Sequence, residues 1–143
     1  MASRIQRPET AFNIRRSRDE RYNRSLYPQH LKWIRTLPCL ITMSSVNVEA
    51  AHIRYSDQSY GKIESGMRRK PDDFWAVPLE HVVHIEEQHA MNERAFWEQY
   101  QTDPLSIALA LFAVTGNDDD AMEILRMNWR SRKMIDANGN PRR

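Results

Sequence analysis

Two segments decide the fold. The first is Val48-Glu49-Ala50-Ala51-His52-Ile53-Arg54. The second is Phe74-Trp75-Ala76-Val77-Pro78-Leu79, followed at once by Glu80-His81-Val82-Val83-His84-Ile85-Glu86-Glu87-Gln88-His89. Around the first, Val46, Val48 and Ala50 alternate with Asn47 and Glu49, the period of a half-buried strand, which predicts a strand over 46–53. The second opens with a short apolar run that reads as another strand, with Pro78 marking its end or an edge position. Residues 80–91 then read as a helix. A strand, a basic loop, a second strand and a histidine-bearing helix predict a small α+β fold.

The rest of the chain frames these segments. Its 143 residues suit one compact domain. An apolar share of 41% with four Trp supplies a core. A charged share of 28% and a mean hydropathy of −0.73 predict that the core is modest and the ends solvated. The net charge of +2 excludes a polycation, so the distribution of charge carries the information. The single cysteine, Cys39, excludes an intramolecular disulfide and a cysteine-only zinc site. No apolar run approaches the roughly 18 residues of a membrane span, and no signal-peptide pattern opens the chain. The expectation is a cytoplasmic protein with no membrane partner.

Residues 1–27 carry Arg4, Arg7, Arg15, Arg16, Arg18, Arg21 and Arg24 with few apolar residues. They read as a flexible basic arm, either lying along phosphates or simply solvated. Pro28 opens a short helix that Pro38 ends, burying Leu31 and Ile34. Cys39-Leu40-Ile41 is a short strand or turn. Residues 55–73 have no clear period and hold Arg68, Arg69 and Lys70; a loop of this length is often functional. Asn92 caps a helix through Tyr100 that buries Phe96 and Trp97. Thr102-Asp103-Pro104 starts the most apolar helix, which Gly116 stops. Asn117 or Asp118 starts the last helix, and the chain ends in a basic tail. The domain reading is an arm over 1–27, a central unit over 28–116, and a C-terminal helix and tail over 117–143.

Histidine is suited to general-base chemistry because its reference pKa lies near 6.5. His52, at a strand end, either takes that role or hydrogen-bonds to backbone. On a regular helix His81 and His84 lie about 60° apart with Gln88 on the same side, whereas His84 and His89 lie about 140° apart. His89 falls with Val82 and Ile85 on what reads as the apolar face. His84 and His89 can share a metal ion only if His84 precedes the helix or the helix is distorted. Pairing of His84 with Gln88 or with His81 is the alternative.

Taken in order, these segments resemble the HNH, or ββα-metal, nuclease superfamily, and within it small phage- and prophage-encoded proteins related to the RecA-dependent phage nuclease. The resemblance runs over about 29–116. It is carried by Leu37-Pro38-Cys39-Leu40-Ile41, Glu49-Ala50-Ala51-His52-Ile53-Arg54, Gly66-Met67-Arg68-Arg69-Lys70-Pro71-Asp72-Asp73, Trp75-Ala76-Val77-Pro78-Leu79, Glu87-Gln88-His89-Ala90-Met91-Asn92-Glu93-Arg94-Ala95-Phe96-Trp97 and Asp103-Pro104-Leu105. It implies a ββα-metal (HNH-like) unit with flanking helices and metal-dependent cleavage of DNA. His52 would be the general base and Asp73 the residue that orients it. His84 and His89 would hold a divalent ion (Mg, Mn, Ni or Zn), and Arg54, Arg68, Arg69 and Lys70 would contact DNA. The sequence departs from the family in two ways. Relatives carry paired histidines four apart on the helix, where this chain has Ile85 and His89. Many also carry cysteines where this chain has Thr42 and Glu80. The alternative is a catalytically degenerate module on the same scaffold that binds nucleic acid or a phage protein, or a host recombination or packaging protein. A third reading is a helical interaction protein built on residues 103–130.

Overall fold

The computed structural model describes residues 25–62, 70–90 and 92–133. Its elements run α1 (Pro28–Ile34), β1 (Val48–His52), β2 (Ala76–Glu80), α2 (His81–His89), α3 (Glu93–Gln99), α4 (Pro104–Ala113) and α5 (Asp118–Lys133). The helix starts have local causes. Pro28 and Pro104 occupy the first turns of α1 and α4, where a missing N–H costs nothing. Asn92 accepts from the Ala95 N–H, Asp103 from Leu105 and Ser106, and Asn117 from Asp120. Each satisfies a backbone donor that the helix itself leaves unpaired. Gly116, at φ +85°, provides the left-handed residue that ends the turn after α4.

The architecture is α+β: five helices around a two-stranded antiparallel sheet among the described residues. The register runs from Val48 opposite Glu80 to His52 opposite Ala76. Pro78 sits in mid-strand opposite Ala50; in a sheet of two strands each strand is an edge, where proline is tolerated. Its carbonyl accepts from the Leu40 N–H at 2.9 Å, so the turn after α1 covers the outer side of β2. α2 follows β2 without a loop, and the His81 N–H donates to the Asn47 carbonyl at 2.9 Å. Asn47 meets this bond at φ +50°, a left-handed conformation that asparagine adopts more readily than most residues.

Two sequence expectations change, and one left open is decided. The first strand begins at Val48, and Val46 is exposed. Its deeply buried residue is Ala51, followed by Ile53 just beyond the strand, rather than Val48 or Ala50. Of the two readings of Cys39, Leu40 and Ile41, strand or turn, the chain takes the turn, at Leu40. On α2 the face read as apolar points outward, with Val82 60% and Ile85 39% exposed, while Val83 and Glu87 are buried. A nine-residue helix carrying only three apolar residues has no dominant stripe of its own. Val83 alone of the three joins the core, and His81 and His84 bond to Glu49 of β1.

The core joins Ile34, Leu37, Cys39 and Leu40 to Ala51, Ile53, Val77 and Leu79, and continues through Trp97, Leu105 and Leu111 to Leu125. Cys39 packs as a small apolar group. The Thr42 hydroxyl donates to Glu80 at 2.9 Å, tying the same turn to the end of β2. Among the described residues, no helix is long and apolar enough to cross a membrane. The last helix is fastened at its far end by Arg132, whose guanidinium donates to the carbonyls of Leu40 and Ile41 at 3.1 and 2.8 Å. Arg132→Ala is expected to lower the unfolding free energy by about 1.5–3 kcal/mol, the range for hydrogen bonds from a charged donor. Urea denaturation checks this, and a change within error of zero would show that α5 is held by its apolar face alone.

Candidate active site

His52 closes β1, and its imidazole Nε2 lies 2.9 Å from Oδ1 of Asp73. Asp73 stands in the turn before β2, where the Trp75 N–H donates to the Asp72 carbonyl, and it is only 2% exposed. A carboxylate only accepts, so the Nε2 nitrogen carries the proton in this pair, and the lone pair of the neutral ring falls on Nδ1. The other carboxylate oxygen accepts from the Tyr27 N–H at 2.8 Å. The pair therefore has the form of an oriented base: an imidazole fixed in one tautomer by a buried acid.

The histidines of α2 form a different group. Glu49 accepts from Nδ1 of His81 at 2.9 Å and from Nδ1 of His84 at 2.6 Å. The Gln88 carboxamide donates to Nε2 of His84 at 3.1 Å. The hydrogen bonds from His84 and His81 hold the Glu49 carboxyl below its ordinary pKa. This is the alternative pairing that the 60° spacing allows. His84 lies inside α2, not before it, so His89, five residues on, points away from it and is exposed. Strand alternation puts Glu49 on the face of Ala51 and His52 on the face of Ala50. The His52–Asp73 pair and the Glu49 group thus occupy opposite faces of the sheet.

His84 and His89, the two ligands that the resemblance implies for a divalent ion, are not brought together by α2. Both nitrogens of His84 are engaged within the protein, and His89 is not brought to it. Among the described residues, no group of three His, Cys, Asp or Glu side chains is arranged to hold a metal ion.

Arg54 is exposed two residues beyond His52, with its peptide N–H held by the Glu93 carboxylate at 3.2 Å. The loop that follows is pinned in several places. Buried Lys62 donates to the Arg54 carbonyl at 3.3 Å. Arg94 donates to the Ser56 carbonyl at 2.9 Å and stacks over Tyr55. Lys70 is exposed; Arg68 and Arg69 lie outside the described residues. Sequence reasoning missed Glu49, because a polar residue in an alternating strand reads as solvent-facing. The signal available was that His81 and His84 share a side of α2 and so can share a partner. It also missed Glu87, which burial and a hydrogen bond with Glu93 push up to about 9.

Comparison with family models, with curated proteins and with solved structures finds no match to this chain.

Glu87 makes stability depend on pH. The folded carboxyl keeps its proton up to about 9, against an ordinary value of 4.5. Its contribution is therefore full below about 4.5 and is lost as pH rises through about 9. Glu87→Gln keeps a neutral donor toward Glu93, so its Tm relative to the unmodified chain is expected to rise steadily from pH 5 to pH 9. A difference in Tm that does not vary across that interval would contradict the shared proton.

Proposed function

We propose that this chain is an HNH-type endonuclease of phage or prophage origin that hydrolyses DNA phosphodiester bonds with His52 as its general base. The observation that carries the reading is the hydrogen bond from His52 to buried Asp73. His52 takes a proton from water as the water oxygen attacks phosphorus, the bond from phosphorus to the leaving deoxyribose oxygen breaks with that oxygen taking a proton from solvent, and Asp73 stabilises the imidazolium that results. Arg54 stands where an exposed cation two residues from the base can meet a phosphate oxygen, and Lys70 adds charge at the end of the basic loop. Such contacts hold the backbone without reading sequence. The order of two antiparallel strands and the helix that follows them supports the ββα reading of 28–116. These steps are those of the chain's own residues, because His84 and His89 are not brought together.

The separation of His84 from His89 favours a second reading: a degenerate module on this scaffold that binds DNA or a phage or host recombination protein without cutting. Plasmid nicking with and without Mg, Mn, Ni or Zn separates the two. Cleavage is expected, with His52→Ala reducing the rate by about 10²–10⁴-fold, the usual weight of a positioned base. Cleavage unchanged in His52→Ala would remove His52 from the chemistry. DNA binding that weakens with salt, together with no cleavage under any condition, would establish the second reading.

A further inference from the structure

Asp73 does more than hold His52. Immediately before α1, residues 25–27 lie against the Asp72–Asp73 turn through three hydrogen bonds. The Ser25 N–H donates to Asp72 Oδ1 at 2.6 Å. The Asp73 N–H donates to the Ser25 carbonyl at 3.0 Å. The Tyr27 N–H donates to Asp73 Oδ2 at 2.8 Å. The Tyr27 ring packs edge-on against Phe112 of α4, with ring centroids 4.9 Å apart, and tilted against Phe74. The Tyr27 carbonyl takes the first helical hydrogen bond of α1, from Leu31, at 3.1 Å. Tyr27 is therefore fixed by its ring, by its carbonyl and by its N–H at once.

The two oxygens of one carboxylate are thus divided between a peptide N–H and an imidazole. A carboxylate is planar, so fixing Oδ2 on the Tyr27 N–H fixes the direction in which Oδ1 accepts from His52. Were the Tyr27 donor removed, the buried carboxylate would lose one of the hydrogen bonds that hold its plane. We propose that Tyr27 is a positioning residue for His52, acting through its peptide N–H and the Asp73 carboxylate rather than by contact with substrate. This rests on the reading of His52 as the base. It makes the segment that leads back into the arginine-rich arm a structural part of the site.

The direct test replaces Tyr27 in the full chain by its α-hydroxy analogue, which exchanges the amide N–H for an ester oxygen and leaves the ring in place. The tautomer of neutral His52 is then read from long-range proton–nitrogen correlations in histidine-labelled protein. The unmodified chain is expected to show His52 protonated at Nε2, and the ester is expected to lower the ratio of Nε2–H to Nδ1–H by about tenfold, the weight of one hydrogen bond to a charged group. Tyr27→Pro removes the same donor and should shift the ratio in the same direction, should the ester chain fail to fold. Tyr27→Phe keeps the donor and should leave the ratio unchanged. An unaltered ratio in the donor-deleted proteins, or an equal fall in Tyr27→Phe, would overturn the proposal. The readout requires no cleavage, so an inactive but correctly coupled site and an uncoupled site give different results.

Discussion

Asp73 is almost wholly withdrawn from water, and a carboxylate in that position must have its oxygens occupied by donors or it will not remain charged. Its donors include the Tyr27 N–H before α1 and the His52 imidazole at the end of β1. Those two segments lie far apart in sequence, so this one side chain ties the entry of the chain to the sheet and to the candidate base. The tie also bears on the chemistry: with Nε2–H donated to Asp73, the lone pair of the neutral His52 ring lies on Nδ1. Fold and site are therefore not separable here. The turn that begins β2 is the turn that orients the base.

A second polar clasp governs the other face of the sheet. Glu49 gathers His81 and His84, tying α2 to β1 alongside Val83, which joins the core. The clasp joins β1 to α2 with protons. For His84 to bind a metal ion through Nδ1, its short hydrogen bond to Glu49 would have to open, and imidazole would have to be gained at the expense of a carboxylate partner. The one-residue irregularity in histidine spacing is thus accompanied by a rearranged set of partners around α2.

What the sequence discloses about this protein is local. The caps at Asn92, Asp103 and Asn117, the prolines at 28 and 104, and the burial of Phe96 and Trp97 follow from residues within a few positions of one another, and they appear where the pattern puts them. The α+β arrangement follows from the same kind of signal. What was not legible depends on pairing between distant segments. Glu49 looks like a solvent-facing strand residue until α2 is laid over it. Ser25 and Tyr27 look like the root of an arm until Asp72 and Asp73 are placed beside them. Val82, Ile85 and His89 form a consistent helical stripe on paper, but the histidine contacts turn that stripe outward. The His52–Asp73 pair itself was anticipated only through resemblance, since no spacing rule connects residues 21 positions apart across a loop.

The central claim is that His52 and Asp73 act as one unit. A double-mutant cycle with His52→Ala and Asp73→Asn, read by denaturant unfolding, measures that coupling without requiring any activity. The account predicts an interaction of about 1 kcal/mol or more between the two sites, as for other directly bonded, partly buried groups. Effects that add to within about 0.5 kcal/mol would mean that the two residues are independent, and the oriented base would have no physical foundation.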